Sequence, residues 1–270
     1  MGAEAAEPVR RLVRRVMGGP SAVPFGLYLF GPDDPGADLA RRVEEEVFLE
    51  TFGNTPELLA KEYGQYEPSS IFLCVVDHLR ELPVGAMRIV VPSAAGFKTF
   101  DDIGPVWHDD VEAMFERTGV ALVPGRIWDV ATMAVASEYR GKAVIGLATL
   151  GLYQGLVQTA RRCGIEYFVC ILDMPIFRMM QSKLHLTFAG FAGVGPLPYL
   201  GSPASLPVWC YLPDVKGRFA AADMNLHHIV FEGTGLEAVV EPLDLEAAVA
   251  VARGRAELAA ATGIRTLGHP

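Results

Sequence analysis

The sequence predicts an α/β protein with a mixed, partly antiparallel central sheet and helices on both faces. Three observations carry this expectation. Two apolar runs, Ser70–Asp77 and Val84–Val91, are joined by the short link His78–Pro83, which suits an antiparallel hairpin. Later strand-like runs alternate with helical segments, which suits crossover connections. One segment, about Ala143 to Cys163, is a long helix apolar on more than one face, as a helix buried against a sheet should be.

In chain order, residues 1–24 form a basic arm with a short helix from Pro8 to Met17, broken by Gly18-Gly19-Pro20. Phe25–Phe30 reads as a strand closed by the turn-rich Gly31-Pro32-Asp33-Asp34-Pro35-Gly36. A helix from about Ala37 to Thr51 carries Leu39, Val43, Val47 and Phe48 on one stripe, with Arg41, Arg42 and Glu44 to Glu46 mostly elsewhere. A second helix spans Pro56 to Tyr66. After the hairpin, a helix near Val106 to Arg117 precedes the strand Ile127–Val135, whose alternation slips once near Asp129, as a bulge would cause. Beyond the long helix come a strand at Glu166–Leu172, a helix at Pro175–Leu184 and a strand at Leu206–Leu212. Residues 215–270 add a strand at His227–Phe231 and a helix from about Leu243 to Ala261, covering the long helix or forming a homodimer surface. The main domain is therefore 25–214, and no internal repeat is present.

The 270 residues are 51% hydrophobic, which excludes a disordered chain. Lys plus Arg number 23 against 32 Asp plus Glu, a net charge of −9, which argues against a nucleic-acid partner. No segment is long and apolar enough to span a membrane, and no apolar stretch follows the arginines of the N-terminus as in a secretion signal. Cys74, Cys163, Cys170 and Cys210 lack metal or redox spacing and read as reduced, buried thiols, so a cytoplasmic protein is expected. The six histidines show no metal spacing, and His227-His228 cannot easily face one ion from a strand, so no metal is expected. A Gly-x-Ser-x-Gly elbow is absent.

Chemistry concentrates at one junction. A basic, glycine-containing turn between strand and helix offers free backbone N–H groups at the positive end of the helix dipole, which suits a phosphate. Arg140-Gly141-Lys142 is so placed, although such a turn is also common on plain surfaces. The stretch Val135-Ala136-Ser137-Glu138-Tyr139-Arg140-Gly141-Lys142-Ala143-Val144-Ile145-Gly146 resembles motif A of the GNAT superfamily of acyltransferases, with Arg140 to Gly146 one residue longer than usual and Ala143 where Gly is common.

A narrower resemblance joins Val84-Gly85-Ala86-Met87-Arg88-Ile89-Val90-Val91-Pro92 to Trp128-Asp129-Val130-Ala131-Thr132-Met133-Ala134-Val135. Together they are similar to the Gly-x-x-Arg and Trp-Glu-x-Ser-Arg strands of acyl-homoserine-lactone synthases and N-acyl amino acid synthases. Glu44–Glu50 is similar to the Val-Phe-x-Glu helix of those families, and Tyr199–Val208 to a strand entry of the second. Asp129 replaces their Glu, Thr132 replaces their Arg, no acidic triad follows Phe52, and Gln181 stands where acetyltransferases place a Tyr general acid.

The resemblance implies a sheet splayed between its two central strands and transfer of a medium or long acyl group from acyl-CoA or acyl-ACP to the amine of an amino acid or similar small acceptor. Met133, Val135, Arg140, Gly141, Lys142, Ala143 and Gly146 would then hold the phosphopantetheine thioester. Trp128, Thr132, Phe168, Ile171 and Phe177 would line the acyl or substrate pocket, within a Met-rich run that core packing also explains. An amine attacks a thioester only when unprotonated, so a nearby carboxylate helps. Asp129 is the candidate, with Arg88 orienting it or a substrate carboxylate; the alternative for Asp129 is an ion pair with Arg88 or a bulge cap. Two other functions fit the same residues: a non-catalytic acyl-thioester sensor and an ordinary short-chain acetyltransferase.

Overall fold

The computed structural model describes residues 3–19, 21–120, 123–141, 146–183 and 188–261. Its elements, in chain order, are α1 (Ala3–Met17), β1 (Phe25–Phe30), α2 (Ala37–Phe52), α3 (Pro56–Tyr63), β2 (Ser70–Asp77), β3 (Leu82–Val90), α4 (Lys98–Asp101), α5 (Val111–Thr118) and β4 (Ile127–Val135). There follow α6 (Leu147–Arg162), β5 (Tyr167–Asp173), α7 (Met174–Lys183), β6 (Ala189–Gly190), β7 (Leu197–Tyr199), β8 (Ser202–Tyr211), α8 (Leu212–Ala222), α9 (Met224–His227), β9 (Val240–Glu241) and α10 (Leu245–Ala261).

Among the described residues, nine strands form one sheet in the order β6-β8-β5-β4-β3-β2-β1-β9, with β7 beside β8. The hairpin β2–β3 is antiparallel, as its short link requires, and β4 lies antiparallel to β3. The crossover through α6 makes β5 parallel to β4. β2 is buried along its whole length, which explains why it reads as a continuous apolar run rather than an alternating one.

Helices cover both faces. On one, α2 buries Ala37, Leu39, Ala40, Val43 and Val47 against Phe72, Cys74, Val76, Ala86 and Ala134, and α1 adds Val9 and Val13. On the other, α6 buries Leu152, Leu156 and Ala160 against Leu27, Leu73, Val75 and Met87. A Cβ on Gly155 would stand 2.9 Å from Leu27 Cδ2 and 3.0 Å from Leu73 Cδ2, so α6 lies close to the sheet because this position has no side chain.

The segment expected as a strand at His227–Phe231 is helical. The Asp223 side chain accepts hydrogen bonds from the N–H groups of Asn225 and Leu226 and starts α9, which continues as a π-helical turn over His228–Glu232. A π turn leaves its carbonyls splayed, and α6 supplies their donors. Gln154 Nε2 reaches Ile229 O at 3.0 Å, Gln158 Nε2 reaches Val230 O at 3.1 Å, and Arg161 donates to Phe231 O. These bonds, with Val230 and Phe231 buried against α6, override the β propensity of Ile229 and Val230. The helices α4 and α8 and the short strands β6, β7 and β9 were not expected, and the remaining differences are at boundaries. α3 ends at Tyr63 and a 3₁₀ turn carries the chain to Ser69, α5 is preceded by a π turn at Ile103–Trp107, and the residues before Gly146 in the expected long helix lie outside the described ones.

Filling the space at Gly155 tests the helix–sheet contact. Gly155→Val is expected to lower unfolding stability by about 1–3 kcal/mol, measured as the midpoint of urea denaturation, because the clash falls on packed Leu side chains.

Candidate active site

The site begins where β4 and β5 part. They pair only through Ile127↔Tyr167, Trp128↔Phe168 and Asp129↔Val169, after which β4 runs on to Val135 and β5 to Asp173 without pairing each other. β5 keeps β8 along its other edge throughout. The parting coincides with a bulge in β4. Arg88 lies opposite Thr132 and Ile89 opposite Val130, so Ala131 is an extra residue. The slip expected near Asp129 thus falls two residues later.

The extra residue changes which side chains share a face. Trp128, Val130, Met133 and Val135 point to the α6 side, whereas Asp129, Thr132 and Ala134 point to the α2 side. Asp129 and Thr132, three apart, would lie on opposite faces of a regular strand. Beyond the bulge, Ala136 donates its N–H to Val84 O on β3. By alternation Val135 and Met133 turn their peptide groups to the other edge, the one facing the gap.

On the α2 side the site is polar and buried. Glu44 of α2, only 3% exposed, accepts from Arg88 Nε at 3.0 Å and Nη2 at 2.6 Å, and from Thr132 Oγ1 at 2.5 Å. Arg88 also donates to Glu67, which Arg41 holds in turn. Burial works against the Arg88 charge, but Glu44 and Glu67 outweigh it and push its pKa up. Lys98 Nζ pairs with Glu62 at 2.9 Å and Asp102 at 2.5 Å, and Tyr199 Oη donates to the same Asp102 oxygen. The Tyr63 ring lies between the two cations, 5.2 Å from the Arg88 guanidinium and 5.7 Å from Lys98 Nζ.

Asp129 is fully buried at the last paired rung of β4. Its two oxygens accept from Thr99 N–H and Thr99 Oγ1, each at 2.8 Å. Burial raises its pKa to about 7, against the lowering effect of the Thr99 hydrogen bonds. The expected Arg88–Asp129 pair is therefore replaced by two separate ones. Val90, not Arg88, stands opposite Asp129, and α2 presents Glu44 with both oxygens toward the guanidinium.

The other candidates divide. Trp128 and Phe168 are cross-strand neighbours in the α6-side core, joined by partly buried Phe177. Thr132 lies on the opposite face, and Ile171 packs with the cluster around Phe100 and Trp107. Arg140 folds back, donating from Nε to Val135 O at 2.7 Å and from Nη2 to Thr51 Oγ1 at 3.5 Å. Gly146 caps α6, and a Cβ there would stand 2.4 Å from Tyr139 O and 3.1 Å from Gly141 N, so this position lies hard against the backbone of both residues. Lys142 and Ala143 lie outside the described residues. Gln181 donates to Phe188 O at 3.3 Å.

Tyr63, Glu67, Lys98, Thr99 and Asp102 join the site without having been singled out from sequence, and Glu44 and Tyr199 only as the first residues of stretches that resemble the synthases. A further signal existed for Glu44, which falls at helical spacing from Ala37, Ala40 and Val47 and so lies inside the buried stripe rather than beside it. Removing one partner of a buried ion pair strands the other. Glu44→Gln is accordingly expected to lower stability by about 3 kcal/mol in chemical denaturation.

No protein-family model matches the chain, and no curated protein matches it. Solved structures do. FeeM, an N-acyl amino acid synthase from uncultured soil microbes, is 19% identical over 74% of this chain and 97% of its own, with a TM-score of 0.53. BjaI, a CoA-dependent acyl-homoserine lactone synthase solved with SAM and isopentyl-CoA, is 15% identical over 86% of this chain and 98% of its own, with a TM-score of 0.54. With the mixed sheet and its parted β4 and β5, these likenesses show that the chain has the fold of these synthases, the GNAT fold.

Proposed function

We propose that the chain is an N-acyltransferase that moves an acyl group from a phosphopantetheine thioester, acyl-CoA or acyl-ACP, to the amine of an amino acid or similar small acceptor. The observation that carries this reading is the gap between β4 and β5, bordered by the peptide groups of Met133 and Val135 on one side and closed at its apex by a buried carboxylate. The names of FeeM and BjaI support both halves of the reaction: one is an N-acyl amino acid synthase, and the other is CoA-dependent and was solved with isopentyl-CoA.

A thioester arm lying in the gap would replace the missing β5 ladder bonds with its own amides, and the start of α6 would face its phosphates. Gly141, with Lys142 and Ala143 after it in sequence, precedes that helix start. Arg140, tied to Val135 O, acts there by holding the strand end to the turn. The acyl chain would pass toward Trp128, Phe168 and Phe177. The N–H groups of Met133 or Val135 would stabilise the oxyanion as the nitrogen–carbon bond forms. Asp129, directly or through water, accepts the ammonium proton; the carbon–sulfur bond then breaks. The thiolate, with a pKa near 8–9, needs little protonation, so Gln181 in place of Tyr is no obstacle. Arg88 and Lys98, each shared between two carboxylates, set the charge pattern that the acceptor meets.

Asp129→Asn preserves the site, since Asn accepts from Thr99 N–H with its oxygen and donates to Thr99 Oγ1 with its nitrogen. Turnover with acyl donor and an amino acid mixture is expected to fall at least tenfold with donor affinity unchanged, and full activity would remove Asp129 from the mechanism. In the parent chain kcat/KM rises with pH through about 7 as Asp129 ionises; the variant lacks that component. Stability moves oppositely. The fold keeps Asp129 protonated between about pH 4 and 7, where the unfolded chain has lost the proton, so stability falls as pH rises through that window. Asn at 129 abolishes that fall, and at pH 8 the variant is no less stable than the parent.

Gly146→Ala should force Tyr139 and Gly141 apart and raise the KM for the donor at least tenfold while leaving acceptor KM near normal. Donor binding without thiol release in the parent chain would instead favour a sensing role.

A further inference from the structure

The helical conformation of residues 224–232 brings together three groups that a strand would have kept apart. Potential ligand atoms of His227, His228 and Glu232 all lie within 4.8 Å of one another. His228 Nδ1 is 2.6 Å from Glu232 Oε2, and His227 Nδ1 is 3.7 Å from Glu232 Oε1. An ordinary pair four residues apart on a helix accounts for His228 and Glu232. It leaves His227 unexplained, whose side chain is only 9% exposed and whose Nδ1 is buried with no hydrogen-bond partner. Buried polar atoms are nearly always satisfied. The His227 ring is stacked on Phe231, 5.7 Å between centroids and 18° between planes, which holds its orientation.

We propose that His227 Nδ1, His228 Nδ1 and a Glu232 oxygen bind a divalent transition-metal ion, Zn²⁺ in the first instance, with water completing the coordination. Two imidazoles and a carboxylate are ligands for zinc and its borderline neighbours rather than for Ca²⁺ or Mg²⁺, which prefer oxygen alone. Bonds of about 2.1 Å in a tetrahedral site place ligand atoms about 3.4 Å apart. The His227–Glu232 separation is close to that value, and the His228–Glu232 pair needs to open by about 1 Å. His228 and Glu232 are 47% and 49% exposed, so both can make this adjustment and the ion has an open approach.

The ion would fasten the π turn that α6 holds through Gln154, Gln158 and Arg161. That part of α6 lies roughly 15 Å along the helix from its start, given a rise of about 1.5 Å per residue. The site is thus a clasp on the C-terminal layer, and the inference does not depend on acyl transfer.

Calorimetric titration of ZnCl₂ into the chelator-treated full chain tests it. One equivalent should bind, Co²⁺ should give an absorption band of a nitrogen- and oxygen-ligated ion, and Zn²⁺ should raise the thermal midpoint. His228→Ala and Glu232→Gln change exposed side chains, so folding, checked by circular dichroism, is retained; each should weaken Zn²⁺ binding at least tenfold and abolish the thermal shift. Absence of binding to the parent chain overturns the proposal, as does equal binding by parent and both variants, which would assign the ion to other histidines.

Discussion

The site's geometry follows from one extra residue in β4. A bulge bends its strand and increases the local twist. Here it begins at Val130, the position after the last β4–β5 pair, so β4 leaves its parallel neighbour as it gains Ala131. The same residue resets the side-chain alternation and brings Thr132 onto the face of Asp129. The parted edge and the polar cluster are two results of one irregularity. The edge can exist because β3 still satisfies the other side of β4, through pairs that resume at Arg88↔Thr132 and continue to Gly85↔Val135.

The polar cluster is poorly explained as a source of stability. Ion pairs between nearly fully buried groups, such as Arg88 with Glu44, recover about what their desolvation costs, and apolar residues of similar volume would serve the fold as well. What they supply is fixed charge without water. Each cation is held by more than one partner. Arg88 meets Glu44, Glu67 and the Tyr63 ring, and Lys98 meets Glu62, Asp102 and the rings of Tyr63 and Tyr199. Groups restrained on several sides reorganise little when a charged molecule arrives, the property that electrostatic catalysis requires. Asp129 pairs with neither cation; among the described residues its hydrogen bonds come from Thr99, and burial, helped by the Asp102 charge, outweighs those bonds and the Lys98 charge and leaves its pKa raised.

Local pattern made much of the fold legible. The β2–β3 hairpin, the multiply buried α6 and the slip in β4 follow from hydrophobic spacing and a short link. Features set by distant contacts did not. Arg88 and Asp129 on neighbouring strands invite pairing, yet the register and Glu44 from α2 decide otherwise. The strand expected at His227–Phe231 follows the propensity of Ile229 and Val230; the α6 side chains that accept its helical form lie about seventy residues earlier in the chain. The short strands β6, β7 and β9 have too few residues to show any period.

The helix α6 links the two ends of the molecule. At its start, Gly146 is wedged against Tyr139 and Gly141, and Tyr139 donates to Asp77 at the end of β2. From its middle to its C-terminal end, three polar side chains grip the π turn, and its middle lies on the sheet at Gly155. A helix held in this way can neither slide nor rotate without breaking contacts at all three places. The peptide groups at its first turn therefore keep a fixed relation to the edge of β4. The C-terminal layer beyond the core sheet thus has a structural consequence: the backbone at the start of α6 is positioned by the whole helix, and the helix is held in part by what covers it.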